Sequence, residues 1–266
     1  MTMVVNANQS QSKEAAMPKR AVVLAGGLGT RLQDAVADRP KVLAPAAGRP
    51  FLNYLMRYLA SEGLNEVILS TGYLADQVSN YAGNGDRWGI SVHYSREDKP
   101  LGTAGALRQA GQQFGLSSYF ALNGDTLFLV NLKNLWQTHI RLGARATIAL
   151  RTISAAEGAR RGCVRLANDG RIVAFDEKPA LKKALPASSI LASGGIYVME
   201  RSALAVIEPG QTASIERQVF PLLAEQGRLA GYIQDGYFAD IGTPESLASF
   251  EKDVETDITG LSGIES

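Results

Sequence analysis

The sequence predicts an α/β protein with a mixed, mostly parallel central sheet, helices on both faces and an antiparallel second half. Three observations predict it. Through the first half, short apolar runs alternate with amphipathic stretches, and parallel neighbours need helical crossovers rather than tight hairpins. The first run, residues 20–25 (RAVVLA), is uninterrupted and ends in glycines, as suits a strand buried on both faces. In the second half, Asn168-Asp169-Gly170 lies between two short strand-like runs, a strong hairpin signal.

The elements follow in order. After the first strand, residues 50–62 place Phe51, Leu52, Leu55, Met56 and Leu59 on one helical stripe, with Pro50 suited to the first turn. Residues 66–70 form a second strand, 74–81 a short helix, 90–94 a third strand and 103–114 a helix. Residues 119–123 (YFALN) form a fourth strand that stops at Gly124-Asp125. Beyond it, 163–166 and 171–175 make the hairpin, 196–199 and 231–234 add strands, and 215–225 and 244–254 are helical. Residues 1–18 read as a flexible polar tail, 19–254 as a single domain and 255–266 as a second flexible tail.

Composition excludes several classes. The 266 residues carry 27 Lys plus Arg against 26 Asp plus Glu, a net charge of +1. Such a balance argues against a sequence-independent nucleic-acid binder, which needs a concentrated positive field. One cysteine, Cys163, rules out an internal disulfide and a cysteine-rich zinc site. The two histidines, His93 and His139, form no paired-ligand pattern. No run approaches the eighteen or so apolar residues of a membrane span, and the N-terminus lacks a signal peptide's apolar core. A cytoplasmic protein with no membrane partner is expected.

The glycine loop Gly26-Gly27-Leu28-Gly29-Thr30-Arg31-Leu32 follows directly on the first strand. Its glycines let backbone N–H groups approach an anion. A dinucleotide fingerprint fails because Leu32 stands where the third glycine belongs, and a P-loop fails because the chain has no Gly-Lys pair. What distinguishes the loop is Arg31 at its end and Lys41 in Pro40-Lys41. A guanidinium and an ammonium stabilise charge that grows on phosphate oxygens during transfer. The set Gly26-Gly27-x-Gly29-Thr30-Arg31-Leu32, then Pro40-Lys41, resembles the signature of the sugar-phosphate nucleotidyltransferases, or NDP-sugar pyrophosphorylases. The resemblance runs over roughly residues 19–254 and implies a Rossmann-like nucleotidyltransferase fold.

These enzymes join a sugar 1-phosphate to a nucleoside triphosphate and release pyrophosphate. By that resemblance, Arg31, Lys41 and Asp125 carry catalysis, and Asp125 and Asp240 hold Mg²⁺. Leu24, Ala25, Gly26, Gly27, Gly29 and Thr30 contact the nucleotide, with Tyr73, Gly102 and Thr103 beside the base. Gly124, Glu177, Lys178, Gly195 and Tyr197 serve the sugar phosphate. The chemistry suits these types: Mg²⁺ takes a few carboxylates and completes its shell with phosphates and water. An ammonium suits a dianionic phosphate, and a carboxylate accepts from sugar hydroxyls. Taken alone, Asp125, Asp240 and Thr103 would be helix caps, Glu177-Lys178 a solvated turn, and Gly194-Gly195 a bulge. Glu97 precedes the Pro100-Leu101-Gly102-Thr103 segment without an assigned role.

Within the family, Leu32-Gln33-x-x-Val36-x-Asp38-x-Pro40-Lys41 and Ala44-Pro45-x-x-Gly48-Arg49-Pro50-Phe51-Leu52 look closest to the D-glycero-α-D-manno-heptose 1-phosphate guanylyltransferase branch. That branch makes GDP-heptose for surface polysaccharide. The favoured partners are GTP and a sugar 1-phosphate, in a monomer or homodimer. Mannose 1-phosphate guanylyltransferases and N-acetylmuramate 1-phosphate uridylyltransferases are near neighbours. A non-catalytic nucleotide-sugar-sensing relative would be expected to lose Arg31, Lys41, Asp125, Lys178 or Asp240, and all are present. Glycosyltransferases of related fold generally use Asp-x-Asp, which is absent. The expected outcome of Arg31→Ala or Asp125→Ala is a turnover lower by orders of magnitude with the fold intact. Pyrophosphate release beside circular dichroism checks this, and near-normal activity in a folded Asp125→Ala protein contradicts it.

Overall fold

The computed structural model describes residues 15–27, 38–154, 157, 163–176, 190–258 and 260. In strand β1 (Arg20–Leu24), Ala21, Val22 and Val23 are fully buried. Ala21 and Val23 enter one core, and Val22 enters the other. A strand covered on both faces has no need of polar alternation, which explains its unbroken apolar run.

A two-stranded ribbon, β2 (Pro45–Ala46) and β3 (Arg49–Pro50), leads into helix α1 (Phe51–Ser61). The predicted stripe Phe51, Leu52, Leu55, Met56 and Leu59 is fully buried. Pro50 sits one position earlier than expected, as the extended N-cap. Strand β4 (Glu66–Thr71), helix α2 (Ala75–Ala82), strand β5 (Ser91–Arg96), helix α3 (Gly102–Gln113) and strand β6 (Ser118–Asn123) complete the first half. The strands β5, β4, β1 and β6 lie side by side in that order, all parallel.

The second half supplies β7 (Thr126–Phe128), α4 (Leu132–Leu142), β8 (Ala146–Ile153), β9 (Cys163–Leu166), β10 (Ile172–Asp176) and β11 (Ile190–Glu200). It ends with α5 (Phe220–Glu225), β12 (Leu229–Ile233), β13 (Phe238–Asp240) and α6 (Pro244–Glu255). Strand β11 runs antiparallel to β6 and β8, and β12 is parallel to β8. The predicted hairpin is present as β9–β10, turned by Gly170 at φ +92°. Helices α1, α2, α4 and α6 cover one face, and α3 and α5 the other. Strand β8 and helix α4 were not anticipated. Among the described residues, no helix is long and apolar enough to cross a membrane.

Two boundaries differ from expectation. Within the expected N-terminal tail, the Ala15 carbonyl accepts from Trp136 Nε1 at 2.8 Å and Met17 packs on the core. The last helix is capped by Thr243, not Asp240: Thr243 and Ser246 form a reciprocal capping box.

A polar network pins α4 to the sheet. His139, 2% exposed, places Nδ1 2.9 Å from Thr147 Oγ1 and Nε2 3.3 Å from Glu200 Oε1, and Ser118 Oγ donates to Glu200 at 2.6 Å. Burial pushes the Glu200 carboxyl up, but hydrogen bonds from His139 and Ser118 outweigh it and hold the carboxyl below its ordinary value. A carboxyl lowered by folding contributes stability above its unfolded value, about 4.3, and loses that contribution as pH falls through the folded value. Glu200→Gln is therefore expected to lower the melting temperature at neutral pH, with the gap to the parent narrowing in acid. Thermal melts across pH check this; a gap unchanged well below the carboxylate range contradicts it.

Candidate active site

The carboxyl ends of β1 and β6 open onto a cavity of about 570 Å³. Leu24, Ala25, Gly26 and Gly27 form one wall, Gly102 and Thr103 another, and Gly124, Asp125 and Lys41 the floor. This is the expected ligand edge of an open α/β sheet.

Close backbone packing shapes the floor. Gly124 N–H donates to the Leu24 carbonyl at 3.0 Å, and Ala25 N–H to the Ser70 carbonyl at 2.7 Å. A Cβ on Gly124 would collide with the Leu24 carbonyl and approach Val42 Cγ1 to 2.8 Å. Only glycine lets β6 turn here and present Asp125 to the cavity.

Asp125 is held by charge. Lys41 Nζ lies 2.5 Å from its Oδ2, with the lysine side chain 12% exposed. Thr126 Oγ1 donates to the other oxygen at 3.2 Å. Asp240 arrives through the antiparallel pairing of β13 with β7, which sets Asp240 opposite Thr126. The next residue, Ile241, donates its N–H to the Asp125 carbonyl at 3.0 Å. Gly242 N–H binds Asp240 Oδ1 at 2.7 Å, and a Cβ on Gly242 would lie 3.6 Å from Lys41 Nζ. Lys41, Asp125 and Asp240 thus share one corner. Two hard carboxylates beside a cavity fit a divalent cation that takes its remaining oxygens from phosphate and water. Among the described residues, no cluster of three or more His, Cys, Asp or Glu could hold a metal by itself.

The opposite wall rests on a clamp between α3 and residues 213–216. Gly102 has φ +67°, and a Cβ there would come within 2.5 Å of the Ala213 carbonyl. Thr103 is not a cap: its Oγ1 accepts from Ile215 N–H at 2.8 Å and donates to Glu216 Oε2 at 3.2 Å. The capping position is Leu101, whose N–H binds Glu97 Oε2 at 2.9 Å. Ser70 Oγ donates to Glu97 Oε1 at 3.3 Å. Burial pushes the Glu97 carboxyl up, partly countered by these two donors. Glu97, Glu216 and Asn123 line the cavity, and sequence reasoning gave none of them a role. For Glu97 the available signal was an acid just ahead of the glycine-opened helix; for Glu216 there was none.

Tyr197 and Tyr73 are placed otherwise than expected, and Gly195 sits on a bulge against the cavity-lining Asn123. Tyr197 is 1% exposed and packs on Phe220 at 5.3 Å, so it offers no surface to a sugar. Its hydroxyl is bound by Ser193 and Asn123, which makes it a support behind Asn123. Gly195 has φ +74° at a break in the β11–β8 register, a bulge, and a Cβ there would lie 3.1 Å from Asn123 Nδ2. Tyr73 follows β4 but does not line the cavity. Gly29, Thr30, Arg31, Glu177 and Lys178 lie outside the described residues.

The chain is similar to known proteins in sequence and in fold. The chain is 36% identical over 235 residues to the D-glycero-alpha-D-manno-heptose 1-phosphate guanylyltransferase of Aneurinibacillus thermoaerophilus, spanning 88% of this chain and 98% of that one. It is 35% identical over 236 residues to the mannose-1-phosphate guanylyltransferase of Mycobacterium tuberculosis, spanning 88% of this chain and 64% of that one. Among solved structures, HddC from Yersinia pseudotuberculosis, also solved complexed with GMP-PN, matches with a TM-score of 0.75 at 27% identity, over 88% of this chain and 99% of that one. The nucleotidyl transferase family pattern covers residues 20–257, and the chain belongs to that family.

Proposed function

We propose that this protein transfers GMP from GTP to D-glycero-α-D-manno-heptose 1-phosphate, releasing pyrophosphate and forming GDP-heptose. The observation that carries the reaction type is the shared corner of Lys41, Asp125 and Asp240 beneath a glycine-lined wall. The sugar phosphate is already an anion at neutral pH, so attack on the α-phosphorus needs positioning and charge stabilisation rather than a strong base. Mg²⁺, held by Asp125 and Asp240, would supply Lewis-acid neutralisation of phosphate charge. Lys41 and Arg31 neutralise the triphosphate and the leaving pyrophosphate, while Lys178 holds the acceptor phosphate and Glu177 its hydroxyls. Gly26 and Gly27 let the nucleotide lie against backbone.

Glu97 favours guanine. Its carboxylate lines the cavity, and a Cβ on Gly26 would come within 2.9 Å of Oε1. Guanine presents N1–H and N2–H donors together, which a carboxylate accepts as a pair. Uracil and thymine present one N–H between two carbonyl oxygens, which a carboxylate repels. The manno-heptose acceptor is supported by likeness to heptose guanylyltransferases at 36% and 31% identity, each matched over 98% of its length. A mannose 1-phosphate acceptor is the second reading, supported by the mannose-1-phosphate guanylyltransferase likeness.

The test is pyrophosphate release with Mg²⁺ across GTP, UTP, dTTP, ATP and CTP, each paired with heptose, mannose, glucose and N-acetylmuramate 1-phosphates. Release with GTP and the manno-heptose phosphate above all other pairs is expected. Preference for another pair overturns the substrate assignment. In the same assay Glu97→Gln, which sets an amide N–H against guanine's donors, is expected to lower kcat/KM for GTP by about tenfold or more.

A further inference from the structure

Glu216 lines the cavity, and the reaction described above makes no use of it. It stands on a single π-turn (Ile215–Val219), a rare backbone form concentrated at functional sites. Two hydroxyls grip one oxygen of its carboxylate: Ser214 Oγ at 2.8 Å and Thr103 Oγ1 at 3.2 Å, both on Oε2. Thr103 is in turn fixed by the Ile215 N–H at 2.8 Å. The second oxygen, Oε1, takes no hydrogen bond among the described residues. A carboxylate aimed by two donors, with acceptor capacity left where it lines the cavity, is built to receive a hydroxyl.

Its surroundings select whose hydroxyl. On the guanine reading above, Glu97, bound to Leu101 N–H and pressed against Gly26, marks the base end of the cavity. Glu216 lies instead toward Tyr197, whose ring packs at 5.3 Å on Phe220, the residue that follows the π-turn; its charge and that of Asp125 add to the burial that pushes the Tyr197 hydroxyl up. Tyr197 and the Gly195 bulge both abut Asn123, which precedes Gly124-Asp125. Glu216 therefore lies on the wall facing the Asp125 corner, toward the Tyr197 and Asn123 side of the cavity.

We propose that Glu216 accepts a hydrogen bond from a ring hydroxyl of the sugar 1-phosphate and thereby helps decide which sugar is taken. This rests on the guanylyltransferase reading above. A ribose hydroxyl of the nucleotide has the same chemistry, and the experiment separates the two.

Steady-state constants for GTP and for the acceptor are measured on the parent, Glu216→Ala and Glu216→Gln, with melting temperatures alongside. Glu216→Gln keeps an oxygen for Ser214 and Thr103, so its loss is read on a folded protein. The expected result is a fall of about 10- to 100-fold in kcat/KM for the acceptor in Glu216→Ala, a smaller fall in Glu216→Gln, and a GTP KM within about twofold of the parent. Acceptors lacking one ring hydroxyl at a time identify the partner: one of them should cost the parent about that factor and cost Glu216→Ala almost nothing. Unchanged acceptor kinetics in the folded variants overturn the proposal, as does a loss confined to GTP that is matched by 2′- or 3′-deoxy-GTP. A parent enzyme without guanylyl transfer to any sugar 1-phosphate overturns the guanylyltransferase reading, and this proposal with it.

Discussion

The pairing of β13 with β7 is the constraint on which the site depends. It joins Asp240 to Asp125 across 240 − 125 = 115 residues, in one register: Phe238 opposite Phe128, Ala239 opposite Leu127, Asp240 opposite Thr126. Closing a loop of that length costs about 4 kcal/mol of chain entropy, while each net hydrogen bond returns about 1 kcal/mol. Three residues of ladder do not offset this by themselves. Packing supplies the rest: Leu127 is fully buried, Ala239 is 8% exposed, and the Phe128 and Phe238 rings meet edge to face at 5.9 Å. The Arg151 guanidinium lies over the Phe238 ring, 3.8 Å from its centroid. The acids are brought together by the core and held there by register.

Electrostatics sets what that corner can do. Two carboxylates in one place repel, and the Lys41 ammonium at 2.5 Å from Asp125 offsets the repulsion. Lys41 reaches the corner because Pro40 and a 3-10 turn (Lys41–Leu43) place it beside the floor, with Val42 and Leu43 buried behind. Positive charge, the Asp125 carboxylate and glycine-exposed backbone then meet within one cavity, with Asp240 beside it, an arrangement suited to phosphoryl transfer. The α3 clamp adds Glu97 and Glu216 on the opposite wall. Both carboxylates are oriented by donors, which suits them to read ligand groups rather than neutralise them.

The first half of the fold was legible because its periodicity is strong. Parallel strands buried on both faces leave apolar runs, and α1 writes its stripe in Phe51, Leu55 and Leu59. The Asn168-Asp169-Gly170 hairpin was legible from turn chemistry alone. Helix α4 had signals that went unread: Asn131 caps it through Asn134 N–H at 2.8 Å, and Leu132, Leu135, Trp136 and His139 form its buried stripe. Strands β7 and β13 left no such trace. They are three residues each, and their partner is set by tertiary packing, so only the resemblance linked Asp125 with Asp240. Tyr197 looked like a ligand contact from its motif, but burial decides otherwise. Glu216 escaped notice because a π-turn has no sequence signature.

The central claim is that Asp125 and Asp240 work as one unit because the ladder makes them neighbours. A double-mutant cycle on kcat/KM for pyrophosphate release, with Asp125→Asn, Asp240→Asn and both together, tests it most directly. Groups acting as a unit are non-additive, so the double variant should be little worse than the poorer single one. Losses that multiply, from folded proteins, would mean two independent roles and would contradict the account.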